Sequence, residues 1–335
     1  MKLMRYISKL MSILVCLHLW SCDVHEFPHP IPEDENISFI LHLDYDTTLP
    51  YYRTIEYSED ARSIDSQQYD ARYIVKVYPA VSESGTKELY SFVFTKADVT
   101  ELDHSVTLDL KKGNYKFMVW TDYVIEGTKT DYLYDTSTFD KISLKGNKYQ
   151  GNTDLKDAFK GTITTEVSAN LTEALVLMER PVAKFRFIST DFDRFMSQVI
   201  ESQAVETASK TVSLEDFKIV FRYQGYLPNA YNLNSDQSSG SLTEKEFESV
   251  VYKISDTEVE MGFDYVFAQS AETSVYITVE ISDTEGNVLS SFTTIEIPLL
   301  RGKLTTVNAK FLPSQSDGGA GIDPDYNGDI NIEIK

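Results

Sequence analysis

SVTLDLKKGNYKFMVWTDYV, residues 105–124, reads as strand, turn, strand. The turn falls on Lys111-Lys112-Gly113-Asn114, where Gly113 is free to take a positive φ. The same grammar continues on both sides. ISFILHLDY (37–45) places Ile37, Phe39, Leu41, Leu43 and Tyr45 on one face and Ser38, Ile40, His42 and Asp44 on the other, the two-residue period of a strand. RYIVKVYPA (72–80) and ELYSFVFTK (88–96) are rich in β-branched and aromatic residues. Further strands are expected in 161–190, 215–225, 259–269, 274–299 and 330–334, with Glu285-Gly286-Asn287 as a hairpin turn. Many short strands separated by turn residues predict an all-β, mainly antiparallel fold of β-sandwiches. Two helical patterns interrupt it. Residues 191–210 carry Phe192, Phe195, Met196, Val199 and Ile200 at helical spacing, and 153–159 predicts a shorter helix.

The 335 residues hold 52 acidic and 31 basic side chains, a net charge of −21. An excess of acid this large excludes nucleic acid as a partner, because phosphates need a basic face. It also excludes docking by charge on an anionic membrane. At 42% hydrophobic and 12% aromatic residues the chain can bury a sizeable core. The expected division is 1–21, 22–36, 37–170 and 171–335: an export signal, a tether, an N-terminal sandwich, and a C-terminal sandwich with a Gly/Asp-rich tail.

The first segment carries Lys2, Arg5 and Lys9, then the apolar run LMSILVCLHLW (10–20). That run has signal-peptide length and is too short to span a bilayer. Ser21 stands directly before Cys22, an arrangement that resembles a bacterial lipobox, in which the cysteine takes a lipid. Trp20 is bulkier than the small residue usual there. DVHEFPHPIPEDE (23–35) contains Pro28, Pro30 and Pro32 and predicts an extended tether. The expected address is the outer membrane, lipid-anchored and surface-exposed. With Cys16 inside the signal, Cys22 would be the one cysteine of the processed chain, which leaves no intrachain disulfide.

No pattern carries catalytic chemistry. His25, His29, His42 and His104 lie outside any zinc spacing, and no nucleophile elbow or phosphate-cradling loop occurs. The expectation is a protein that is not an enzyme, without cofactor or metal. DPDYNGDINIEI (323–334) has a weak resemblance to a calcium loop at Asp323, Asp325, Asn327 and Asp329, but the twelfth position is Ile334 instead of Glu. Trp120 sits in a strand pattern, where an aromatic is more often core than a sugar platform. In YQGYLPNAYNL (223–233), Pro228 and Asn229 break the strand, which makes Tyr226 and Tyr231 the candidate ligand-contacting aromatics.

GNYKFMVWTDYV (113–124), MERPVAKFRF (178–187) and IPLLRGKLTTVNAKFL (297–312) together resemble the fimbrillin superfamily of Bacteroidota, the lipoprotein subunits and anchors of type V pili. The tail GIDPDYNGDINIEI is similar to tails of that group. The resemblance implies two transthyretin-like β-sandwich domains, the second starting near Glu179-Arg180-Pro181. It implies partnership with other fimbrial subunits by β-strand exchange, and attachment to the outer membrane through a lipid on Cys22. In polymerising members a protease cuts after a basic residue; Arg53 and Arg62 stand in polar, loop-like sequence here, whereas Arg72 opens a strand. Anchor-type members keep the lipid and the first strand. The alternative function is a glycan-binding surface lipoprotein of a nutrient-uptake system, which the scarcity of tryptophan disfavours.

Overall fold

The computed structural model describes residues 36–46, 68–97, 104–146, 148–197, 217–312 and 331–334. The first run of strands is β1 (Asn36–Tyr45), β2 (Tyr69–Pro79), β3 (Tyr90–Lys96), β4 (His104–Lys111), β5 (Gly113–Ile125), β6 (Tyr134–Asp135), β7 (Ile142–Leu144), β8 (Phe159–Val167) and β9 (Glu173–Met178). The second run is β10 (Val182–Ser189), β11 (Phe217–Gln224), β12 (Ala230–Asn232), β13 (Gln237–Ser239), β14 (Glu246–Ser249), β15 (Tyr252–Lys253), β16 (Val259–Phe267), β17 (Thr273–Asp283), β18 (Val288–Leu299), β19 (Leu304–Ala309) and β20 (Asn331–Ile334). The protein is therefore all-β, as the patterns predict.

Among the described residues, four of the five sheets form two sandwiches. Sheet β4-β1-β9 packs on sheet β3-β2-β5-β8 around one apolar core that includes Phe39, Leu41, Tyr73, Val75, Leu108, Phe117 and Val176. Sheet β15-β16-β10-β19-β20 packs on sheet β14-β11-β17-β18 around a second core that includes Phe185, Phe187, Phe221, Met261, Val279 and Phe311. The sandwiches repeat one topology. β1 lies between antiparallel β4 and parallel β9, and β10 lies between antiparallel β16 and parallel β19. The facing sheets run β3-β2-β5-β8 and β14-β11-β17-β18, antiparallel throughout. The strand just after residue 170, β9, belongs to the first sandwich, and the chain crosses to the second at Glu179-Arg180-Pro181.

The sandwiches meet through a third core. The outward side chains Ile74, Tyr78, Met118 and Trp120 of β2 and β5 pack with Val182, Phe263, Tyr265 and Phe267 of the second sandwich. Sheet β13-β12-β7-β6 lies at this junction and draws strands from both runs, with Ala230 paired to Ser143 and Tyr231 to Ile142. This explains why β2 and β5 are buried on both faces where β1 alternates. Trp120 is core, as its place in a strand pattern predicts.

Two turns illustrate different uses of glycine. Gly286 takes φ 90° between β17 and β18, and the Asp283 carboxylate accepts from the backbone N–H of Glu285 and Asn287 and from the Asn287 amide. Gly113 corrects its sequence reading: it opens β5 without a positive φ. A Cβ there would stand 3.0 Å from the Tyr115 ring, whose hydroxyl donates to the Lys111 carbonyl. Gly113 supplies space instead of a left-handed bend. The helical pattern from Asp191 gives a helix over 192–197 with Phe192 and Phe195 buried, and 198–210 lies outside the described residues. The shorter pattern gives one 3-10 turn, Asp154–Lys156, capped by the Thr153 hydroxyl, which accepts from the Leu155 N–H.

Candidate functional site

The position of β1 is the feature with the clearest functional content. β1 is hydrogen-bonded on both edges, paired from Asn36 to Leu43 with β4 and from Ile40 to Tyr45 with β9. Its five inward side chains, Ile37, Phe39, Leu41, Leu43 and Tyr45, are all buried. Phe39 stacks on Phe117 with centroids 5.4 Å apart. Tyr45 meets Phe159 edge-on at 4.9 Å, and its hydroxyl shares a 2.8 Å hydrogen bond with Thr121. At about 2 kcal/mol per large apolar side chain, these five contribute about 10 kcal/mol of burial. A slot that loses β1 would bare two strand edges and an apolar floor, a template for another strand. β1 joins β2 only through residues 46–68, so a single cut in that segment separates it covalently from the rest of the sandwich.

The outer face of β1 is stitched by His42. Its ring nitrogens lie 2.7 Å from the Ser105 hydroxyl on β4 and 3.3 Å from the Glu173 carboxylate on β9. A serine, a histidine and an acid in this order have the geometry of an activated nucleophile. Here they stand on an open sheet face, with side chains 42% exposed at His42 and 67% at Glu173. Acyl transfer needs aimed oxyanion donors in a water-poor site. The trio accordingly reads as cross-strand pairing that ties β1 to both neighbours.

His104, opposite Leu43 at the start of β4, packs on the Tyr73 ring at 4.9 Å. Burial pushes its pKa down, and Lys96 pushes it further. The folded state thus resists protonating this ring, and the unfolded state takes the proton at about pH 6.5. The stabilising contribution is present above that pH and is lost as pH falls from about 6.5 toward the folded value. Denaturant midpoints measured from pH 7 to pH 5 should fall across this window, and His104→Gln should flatten that step.

The junction between the sandwiches carries buried charges, most of them held in ion pairs. Arg72, inside β2, donates from Nε and Nη2 to Asp122 at 2.8 and 2.6 Å and from Nη1 to Asp131 at 2.8 Å. Arg72 is only 2% exposed, buried within its strand. Lys156 donates to Asp264 at 2.5 Å and to the Tyr149 hydroxyl at 2.8 Å, and Tyr223 donates to the same carboxylate at 2.7 Å. Lys184 and the Tyr265 hydroxyl donate to Asp154 at 2.9 and 2.8 Å. Arg180 grips Asp157 through Nε and Nη2 at 2.8 to 3.1 Å. Burial opposes the Arg180 charge, but the Asp157 carboxylate outweighs it and holds the guanidinium protonated. Sequence patterning misses these residues because they read as polar strand and loop positions; their partners lie up to 111 residues away.

The residues singled out in the sequence do not converge. Tyr226 is 76% exposed. Tyr231, expected in a surface loop, is fully buried in β12. Its hydroxyl donates to Asp236 at 2.6 Å and accepts from Arg301 at 2.6 Å, so it is structural. Pro228 and Asn229 lead into a strand that pairs with β7, not into an exposed loop. Cys22, Arg53, Arg62 and the calcium-like positions Asp323, Asp325, Asn327 and Asp329 lie outside the described residues. Among the described residues, no group of three His, Cys, Asp or Glu is placed to hold a metal ion, and no helix is long and apolar enough to cross a membrane.

Comparison with solved structures returns fimbrial and adhesion proteins at low identity. The fimbrial anchor protein Mfa2 of Porphyromonas gingivalis is 11% identical over 89% of this chain and 97% of that chain, with a TM-score of 0.44. The tip fimbrial protein Mfa3 of the same organism, with a C-terminal truncation, is 10% identical over 89% and 99%, with a TM-score of 0.41. A candidate cell adhesion protein from Bacteroides uniformis is 8% identical over 90% and 98%, with a TM-score of 0.47. No curated protein matches the chain. Residues 32–335 match the family of unknown function DUF6562, and the chain belongs to that family.

Proposed function

We propose that this protein is a cell-surface lipoprotein that serves as a fimbrial subunit or anchor, held in the outer membrane by a lipid on Cys22 and joined to neighbouring subunits by strand exchange at the β1 slot. The observation that carries the reading is the place of β1. It is a central strand with five core side chains, linked to the next strand only through the segment that contains Arg53 and Arg62. Cleavage after either arginine would free β1 and let a partner strand take its hydrogen bonds and pockets, as in a polymerising stalk or tip subunit. Retention of β1 together with the lipid would suit an anchor. The fimbrillin-like stretches 113–124, 178–187 and 297–312 agree with this role, and so does the signal-like run that ends at Cys22. No catalytic role enters the proposal.

The expected result for Cys22→Ala expressed in the native host is a shift from the membrane fraction to the soluble fraction, with the fold intact by circular dichroism. Equal membrane retention of the variant would remove the anchoring half of the proposal. Glycan binding is the second reading, and the exposure of Tyr226 is what favours it. In that case Tyr226→Ala would weaken saturable oligosaccharide binding while Cys22→Ala would leave it unchanged.

A further inference from the structure

A cleft of about 70 Å³ opens between residues 144–146 and 148–150, at the end of β7 and beyond it, and Leu242 and Lys245, just before β14. That space is about twice a water's share of liquid volume. It has room for a small polar group. Four lysines line it, Lys145, Lys148, Lys156 and Lys245, and none of its lining residues is acidic. In a chain with 52 acids against 31 basic residues, such a lining runs against the composition.

The four cations differ in how far they are already neutralised. Lys156 forms the floor, only 2% exposed, and its charge is answered by Asp264. Lys145 donates to the Asp131 carbonyl at 2.9 Å, which fixes its position without cancelling its charge. Lys148 and Lys245 have no ion-pair partner among the described residues, although carboxylates pair with many of the other cations. Leu133, Leu144 and the Tyr149 ring add an apolar wall beside these charges. A concave apolar surface with convergent polar groups at a junction between structural units is the usual form of a small-ligand site.

We propose that this cleft binds the carboxylate of a small ligand, with Lys148 and Lys245 as the charge-recognition pair and the Tyr149–leucine wall packing on the body that carries it. The site is separate from the β1 slot and stands or falls independently of strand exchange. Exposed ion pairs contribute little individually, so binding is weak and falls as salt screens it.

The experiment titrates the full chain with sodium D-glucuronate, sodium acetate and D-glucose, following chemical shifts or heat at low ionic strength. Saturable binding of glucuronate, absent with glucose and at least about tenfold weaker in Lys148→Ala/Lys245→Ala, is the expected result. Acetate distinguishes the source: equal binding of acetate identifies the carboxylate alone as the ligand, and preference for glucuronate identifies an acidic sugar. Neither substituted lysine has an ion-pair partner among the described residues, so the variant should unfold at the wild-type midpoint, which is checked first. Lys148→Arg/Lys245→Arg should retain binding. The proposal is overturned if glucuronate fails to bind, if glucose binds equally well, or if the double alanine variant binds like wild type.

Discussion

Arg180→Ala should destabilise the protein by about 3–5 kcal/mol, the range for removing one partner of a buried ion pair. The reason lies in what stays behind. Asp157 is completely buried, and the two-pronged grip of Arg180 supplies its main compensation. The guanidinium also lies over the Phe159 ring at 4.5 Å and donates to the Asp46 carbonyl at the end of β1. One side chain therefore links the exit of β1, the entry to β8, and the crossing from the first sandwich to the second. The check is a denaturant midpoint at constant m-value. Arg180→Lys should fall between wild type and alanine, because an ammonium keeps the charge but not the fork. Arg180→Met combined with Asp157→Leu should lose less than Arg180→Ala alone, since no charge is then left buried. A loss below about 1 kcal/mol for Arg180→Ala would place the pair among the weak surface bridges and contradict its burial.

Trp120→Ala is expected to be comparably severe, at about 3–5 kcal/mol. Trp120 heads the fully buried side chains by volume and meets Tyr134 edge-on at 5.4 Å in the core between the sandwiches. Emptying that position leaves a void that cannot collapse cheaply, because β5 is held on one side by β2 and on the other by β8. The thermal midpoint should drop by roughly 5–10 °C. The variant also separates two roles. If the third core joins the sandwiches into one cooperative unit, calorimetry should show one transition in wild type and two overlapping transitions in Trp120→Ala. A wild type that already unfolds in two separate steps would show that the third core does not couple them.

Local pattern made the strands readable and long-range pairing hid the rest. β1 was legible residue by residue, because one face is buried and the other is wet, so its sequence must alternate. β2 and β5 announce themselves as strands, but their sequences do not say that both faces are covered; Arg72 and Lys76 look like solvent positions in RYIVKVY (72–78). They tolerate burial because of partners contributed by distant loops, Asp131 for Arg72 and the Ser137 carbonyl for Lys76. Tyr231 escapes local pattern for the same reason: three residues of strand carry no period, and its partner strand is β7, some ninety residues earlier. Gly113 is ambiguous in sequence because glycine serves both a left-handed bend and a close approach, and only the Tyr115 ring shows which. The shared topology of the sandwiches left no sequence repeat, since burial and pairing constrain residue class and spacing, not identity.

The central claim, a lipid-anchored or processed surface subunit built around the β1 slot, is tested most directly by the intact mass of the protein purified from its native envelope. The account predicts a chain that has lost residues 1–21. It begins either at a lipidated Cys22, the anchor form with β1 retained, or at Thr54 or Ser63, the processed form with β1 removed. A mass that still includes residues 1–21, or a chain starting at an unmodified Cys22 without a cut after Arg53 or Arg62, would contradict it.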